Sequence, residues 1–69
     1  MTYIELNDKH KSIIDTKGIR SIHVDYVSDD YQYIKIHYKY NDILCSYEYK
    51  DIKTLYMDRE RLKEKLGLQ

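Results

Sequence analysis

Hydrophobic and polar residues alternate along three stretches of the chain, and this alternation predicts β-strands. The most regular stretch is residues 31–40, which read Tyr-Gln-Tyr-Ile-Lys-Ile-His-Tyr-Lys-Tyr. Because successive side chains of a strand point to opposite faces of a sheet, Ile34, Ile36 and Tyr38 fall on one face. The other face carries five residues that we call the tyrosine–lysine patch: Tyr31, Tyr33, Lys35, His37 and Lys39.

Two further stretches, residues 19–27 and 43–50, alternate in the same way. Polar residues typical of turns, at 28–30 and 41–42, connect them to the central stretch. The three strands are therefore predicted to form an antiparallel meander.

Two shorter segments, residues 2–6 and 11–15, precede the meander and are predicted to pair with each other as a first hairpin. The pattern of the second segment favours a strand over a helical turn. Thr16-Lys17-Gly18 then supplies turn chemistry, because glycine adopts a positive φ without steric cost.

The period of the hydrophobic residues changes after residue 51 and predicts an amphipathic helix over residues 52–66. The residues at helical spacing are Ile52, Leu55, Leu62 and Leu66. The apolar stripe lacks a residue in the turn between Leu55 and Leu62, and Tyr56 or Arg59 is predicted to fill this missing turn. Asp51 or Thr54 is the predicted N-cap, and Gly67 is suited to end the helix.

These elements predict an α+β fold in a single domain over residues 1–69: an antiparallel β-meander of four to five strands with one C-terminal α-helix packed on one face. Tyr26 is predicted to point inward together with the core residues. That core comprises Ile4, Leu6, Ile22, Val24, Ile34, Ile36, Cys45 and Tyr47 on the strands, and Ile52, Leu55, Leu62 and Leu66 on the helix. One helix covers only one face of the sheet, so the other face is expected to be open.

The small size of the chain suggests that an oligomer interface or a partner protein adds to its stability. A core formed by 69 residues supplies only about 3–5 kcal/mol. The single Cys45 excludes an intramolecular disulfide, and no zinc-site spacing or cofactor motif is present. We therefore expect a homo-oligomer, such as a dimer, or a partner protein, and no cofactor.

The charge balance argues against two classes of partner. Lys plus Arg and Asp plus Glu both number 12, so no net field attracts nucleic acid or an anionic membrane. No apolar run approaches the length of a membrane span, and the first residues lack the features of a signal peptide. A cytoplasmic protein is expected.

The tyrosine–lysine patch admits three interpretations. The first assigns no function to the patch: it is a solvated sheet face with cross-strand ion pairs, such as Lys35 with Glu48. The favoured one is a protein interface, because tyrosine offers a large contact area at low entropic cost. A single-stranded nucleic-acid platform is the alternative, although it normally requires excess positive charge.

The predicted helix offers a secondary candidate surface at Arg59 and Lys63. On its outer side, Asp58 with Arg61 and Glu60 with Lys63 are predicted to form ion pairs.

Enzymatic chemistry is not expected. Cys45 is the only thiol nucleophile, and strand alternation places it on the face opposite to His23 and His37. No phosphate-binding loop or nucleophile elbow is present. A metal or small-ligand site at His23 and His37, with Asp25 as third ligand, remains an alternative, although such residues are more often ordinary surface groups.

The whole chain also resembles a loose group of proteins. Its order of Tyr3-Ile4-Glu5-Leu6, residues 19–27, residues 31–40, Ser46-Tyr47-Glu48-Tyr49 and residues 62–67 resembles that of small uncharacterised proteins of low-GC bacteria and their phages. Proteins of that kind with a known role often bind and block a host enzyme or defence complex. The resemblance therefore implies a host-directed inhibitor or modulator that acts by contact, and it carries over no site residue.

Overall fold

The computed structural model describes residues 3–40 and 42–67, which form five strands and one helix. The strands are β1 (Tyr3–Glu5), β2 (Ile13–Asp15), β3 (Ile19–Ser28), β4 (Tyr31–Tyr38) and β5 (Leu44–Glu48), and the helix is α1 (Ile52–Lys65). The α+β class is confirmed. The predicted start of the first strand at Thr2 and the turn residue Asn41 lie outside the described residues.

The strands are divided between two antiparallel sheets. Strands β3, β4 and β5 form the meander with β4 in the centre, while β1 and β2 pair only with each other. The loop after β1 joins the two units, because the backbone N–H of Lys9 donates to the carbonyl of Glu48 over 2.9 Å. On the other side, the Tyr38 hydroxyl donates to the carbonyl of Asp15 over 3.0 Å. The hairpin is thus tied to the meander at two points.

The core lies between the meander, the hairpin and α1. Its fully buried apolar residues are Leu6, Ile14, Ile34, Ile36, Tyr49, Leu55 and Leu62. The other predicted core residues are half-buried, with one clear exception. Tyr26 lies on the helix side of the sheet as predicted, opposite the buried Gln32, but its side chain is 48 % exposed and its hydroxyl donates to Asp29. Tyr26 lies beside a bulge that precedes Ser28, next to the turn of the β3–β4 hairpin.

Helix α1 begins at a side-chain cap. The carboxylate of Asp51 accepts hydrogen bonds from the backbone N–H and the hydroxyl of Thr54, over 2.8 and 3.0 Å. Of the two predicted N-caps, Asp51 is therefore the correct one. The helix ends at Lys65, and Gly67 follows with a φ of +75°.

The inner face of α1 contains a carboxylate that was predicted to be exposed. Asp58 is fully buried, between Leu55 and Leu62 on the same face of the helix. It accepts hydrogen bonds from the backbone and side chain of Asn7, from the hydroxyl of Tyr49 and from Arg61. The residue in the missing turn of the apolar stripe is therefore Asp58, and neither Tyr56 nor Arg59 is buried there.

Candidate functional site

The face of the meander opposite to α1 is formed by three rows of residues. Helix α1 contacts the central strand β4, where Ile34 and Ile36 are buried on the helix side. The alternate residues of β4 therefore point away from α1. We call the nine residues of the three rows the open face: Asp25, Tyr33 and Glu48; His23, Lys35 and Ser46; Ser21, His37 and Leu44.

The charges of the open face are paired differently from the prediction. Lys35 Nζ lies 2.9 Å from Asp25 Oδ2 on β3, and not beside Glu48. Glu48 instead pairs with Lys9, which reaches it from the loop after β1 over 2.8 Å. The hydrogen bond to Asp25 and the charge of Asp25 raise the pKa of Lys35. The only lysine among the nine residues is therefore neutralised within the face.

Two tyrosines of the tyrosine–lysine patch contact each other. The ring centroids of Tyr31 and Tyr33 are 4.7 Å apart, with a tilt of 60° between the ring planes. Tyr31 is 41 % exposed and Tyr33 is half-buried, so both rings present an accessible surface. Aromatic pairs with this spacing attract each other beyond their hydrophobic contact. The pair extends the open face toward the β3–β4 turn.

The remaining residues of the tyrosine–lysine patch have separate environments. His37 Nε2 lies 2.7 Å from Asp42 Oδ1, in the connection to β5, and His37 faces Leu44 across the strands. Lys39 lies in the turn beyond the end of β4, with an exposed side chain. Four of the five predicted residues thus share one strand face, and Lys39 follows it.

The candidate metal and nucleophile residues do not converge. His23 Nε2 lies 3.1 Å from the hydroxyl of Ser21, whereas His37 engages Asp42. Cys45 lies opposite Ile36, on the side of the sheet that α1 covers. Within residues 3–40 and 42–67, no three His, Cys, Asp or Glu side chains are arranged to hold a metal ion.

Helix α1 has a second, smaller surface. Arg59 is half-buried, and Lys63 forms an ion pair with Glu60 over 3.4 Å. Next to them, the exposed side chains of Tyr56 and Met57 line a shallow hollow of about 480 Å³. No site was predicted at this hollow. Lys53, Glu60 and Arg61 complete its lining, and its mostly apolar walls fit a contact surface.

A cleft of about 380 Å³ separates the loop after β1 from the start of α1. Lys9, Lys11 and Lys50 line it together with Asp8 and Asp51. Both carboxylates are engaged, since Asp8 accepts from Ser12 and Asp51 caps the helix. With Lys9 paired to Glu48, the charges of this cleft nearly balance, so it is not a strong site for an anion.

Comparisons with protein-family models, curated proteins and solved structures returned no match to this chain. In the described part of the chain, no helix has the length and hydrophobicity that crossing a membrane requires. The function is therefore inferred from the geometry of the chain itself.

Proposed function

We propose that the protein is a small non-enzymatic binding protein that acts in the cytoplasm by contact between its open face and another protein. The observation that carries the proposal is the aromatic pair of Tyr31 and Tyr33 beside the Lys35–Asp25 ion pair. The buried Ile34 and Ile36 hold the same strand in place from below.

The rigidity of this surface favours binding. A tyrosine side chain loses little conformational entropy when it is ordered, because it has only two rotatable side-chain bonds. The contact between Tyr31 and Tyr33 restricts both rings before a partner arrives. Association therefore costs less ordering free energy than it would on a face of long flexible side chains.

The charge pattern favours a protein over a nucleic acid as the partner. Lys35 is neutralised by Asp25, and Glu48 is paired in the same way with Lys9. A phosphate backbone requires unpaired cations, whereas a protein surface of mixed charge can be matched by alternating positive and negative groups. The nucleic-acid alternative and the small-ligand alternative both stay predictions. The resemblance to small proteins of low-GC bacteria and their phages implies the class of partner, which is a host enzyme or defence complex.

The proposal is tested with the double variant Tyr33→Ala/Lys35→Ala. The protein is used to capture partners from a lysate of a low-GC bacterium, and a captured protein is then purified for titration calorimetry. We expect the double variant to bind at least about tenfold more weakly, because aromatic residues at the centre of an interface supply much of its affinity.

The control variant is Tyr3→Ala, which removes an exposed tyrosine from β1 instead. It should bind within about twofold of the original protein, since it lies outside the open face. Circular dichroism must show that both variants are folded. Equal binding by the double variant and the original protein would refute the role of the open face.

A further inference from the structure

Strand β3 forms one edge of the meander. It is ten residues long and contains no proline, and its inner side pairs with β4. In the part of the chain that the structure describes, no other strand pairs with its outer side. The outward backbone N–H and C=O groups of such an edge form a template for another strand. From this edge we infer that β3 pairs with β3 of a second copy of the chain, antiparallel and about a two-fold axis at Val24.

The other edge of the meander is less available. Strand β5 has only five residues, and Lys9 already donates its backbone N–H to the carbonyl of Glu48 at one end. Strand β3 also lies clear of the helix, because α1 packs against β4, one strand further in. A second copy can therefore approach β3 without displacing another element of the fold.

The side chains of β3 select the register. A two-fold axis perpendicular to the sheet keeps like faces together, so it must lie midway between the two copies of one residue. With the axis at Val24, His23 of each copy lies opposite Asp25 of the other. On the helix side, Ile22 then lies opposite Tyr26. Unlike groups face each other on the open face, and apolar groups face each other on the helix side.

The neighbouring registers are less favourable. An axis at His23 places the two copies of His23 opposite each other and sets Ser21 against Asp25. An axis at Asp25 brings two carboxylates together, which is destabilising for residues directly opposite each other on adjacent strands. Asp25 already pairs with Lys35 within its own chain, so the Val24 register adds His23 to an existing charged pair.

The pairing also covers apolar surface. Tyr26 is half-exposed and Val27 is largely exposed, while Ile22 and Val24 are only half-buried in the single chain. Bulges near both ends of β3 limit the regular ladder to residues 21–26. A ladder this short predicts a reversible, concentration-dependent dimer. Both open faces would lie on the same side of one six-stranded sheet.

The dimer is tested by sedimentation equilibrium with two variants of one exposed position, His23→Asp and His23→Lys. In the Val24 register, His23→Asp faces Asp25 twice and should raise the dimer dissociation constant about five- to tenfold. His23→Lys should leave it unchanged or lower it, since lysine then faces Asp25. A protein that stays monomeric up to about 1 mM would overturn the inference, as would equal weakening by the two variants.

A cross-linking measurement checks the register separately. In a Cys45→Ala background, Val24→Cys should form an intermolecular disulfide under mild oxidation, because the two copies of residue 24 lie within disulfide range. The matched variant His23→Cys should cross-link much more slowly. The reverse order would contradict the Val24 register. The inference is independent of the partner proposed for the open face, so neither test decides the other.

Discussion

At Asp58, hydrogen bonds from three parts of the chain converge on one buried carboxylate. Asn7 donates from the loop after β1, Tyr49 from the segment after β5, and Arg61 from the next turn of α1. Burial by itself would raise the pKa of Asp58, but the hydrogen bonds from Asn7, Tyr49 and Arg61 outweigh it, and the pKa lies below its ordinary value. The carboxylate is thus held charged in the core by its donors.

The variant Asp58→Asn tests this role. The amide keeps the size of the side chain but removes the charge. It also replaces one of the two acceptor oxygens with an NH₂ group, which is a donor. We expect the free energy of unfolding to fall by about 2–3 kcal/mol, because buried donors lose their acceptor. Urea denaturation followed by circular dichroism measures the change.

The control for this variant is Glu60→Gln, the same chemical change on the exposed side of α1. The Glu60 side chain is exposed and forms an ion pair with Lys63 at the surface of α1, so the expected change is below about 0.5 kcal/mol. Equal destabilisation by the two variants would contradict the special role of Asp58.

At the scale of elements, α1 connects the two sheets. Its buried side chains, Leu55 and Leu62, share one core with Leu6 of the hairpin side and Ile34 of β4. Strands β1 and β2 have three residues each, and an isolated two-stranded hairpin is marginally stable in water. The short hairpin therefore depends on the helix and the meander for its apolar partners.

The variant Leu55→Ala should expose this dependence. Removing a fully buried leucine costs about 3 kcal/mol, which is comparable to the whole stability expected of so small a core. Only about 0–2 kcal/mol of stability then remains, so an unfolded fraction of up to about half is expected at 25 °C by circular dichroism.

The matched variant Met57→Ala truncates an exposed side chain two residues further along the same helix. Its unfolding free energy should stay within about 0.5 kcal/mol of the original. If Met57→Ala were the more damaging variant, the assigned inner face of α1 would be wrong.

At the scale of the whole molecule, buried titratable groups set the pH range of stability. Asp58 has a lowered pKa in the folded state, so its contribution is present above the carboxyl pKa of the unfolded chain and is lost as pH falls through the folded value. Burial, followed by the hydrogen bond to Asp58, raises the pKa of Tyr49, and burial also raises that of Tyr47. These two groups contribute stability below the unfolded tyrosine pKa.

The urea midpoint should therefore be highest at intermediate pH. It should fall below pH of about 4, where Asp58 takes up a proton on unfolding, and above pH of about 10, where Tyr47 and Tyr49 release protons on unfolding. The variant Asp58→Asn should flatten the acid side, and Tyr49→Phe should reduce the slope on the alkaline side. Unchanged acid sensitivity in Asp58→Asn would show that other carboxylates dominate.

The local pattern of the sequence was sufficient for the elements and for the faces of the meander. Strict alternation over residues 31–40 separates Ile34 and Ile36 from Tyr33 and Lys35, because a strand has only two faces. Short turns between consecutive strands then leave little choice of neighbour, so the three rows of the open face follow from the sequence. Four of the five residues in the tyrosine–lysine patch were placed together correctly on one strand face.

Long-range partners were decided by the tertiary structure. Asp58 has the spacing of a core residue, three after Leu55 and four before Leu62, but its charge and the nearby Arg61 indicated an exposed pair. Burial of that carboxylate is favourable only because Asn7 and Tyr49 lie next to α1 and donate hydrogen bonds to it. Likewise, Glu48 forms its ion pair with Lys9 from a distant loop, and Lys35 forms its ion pair with Asp25. Periodicity along a chain specifies which way a side chain points, whereas its partner depends on which distant segments pack against it.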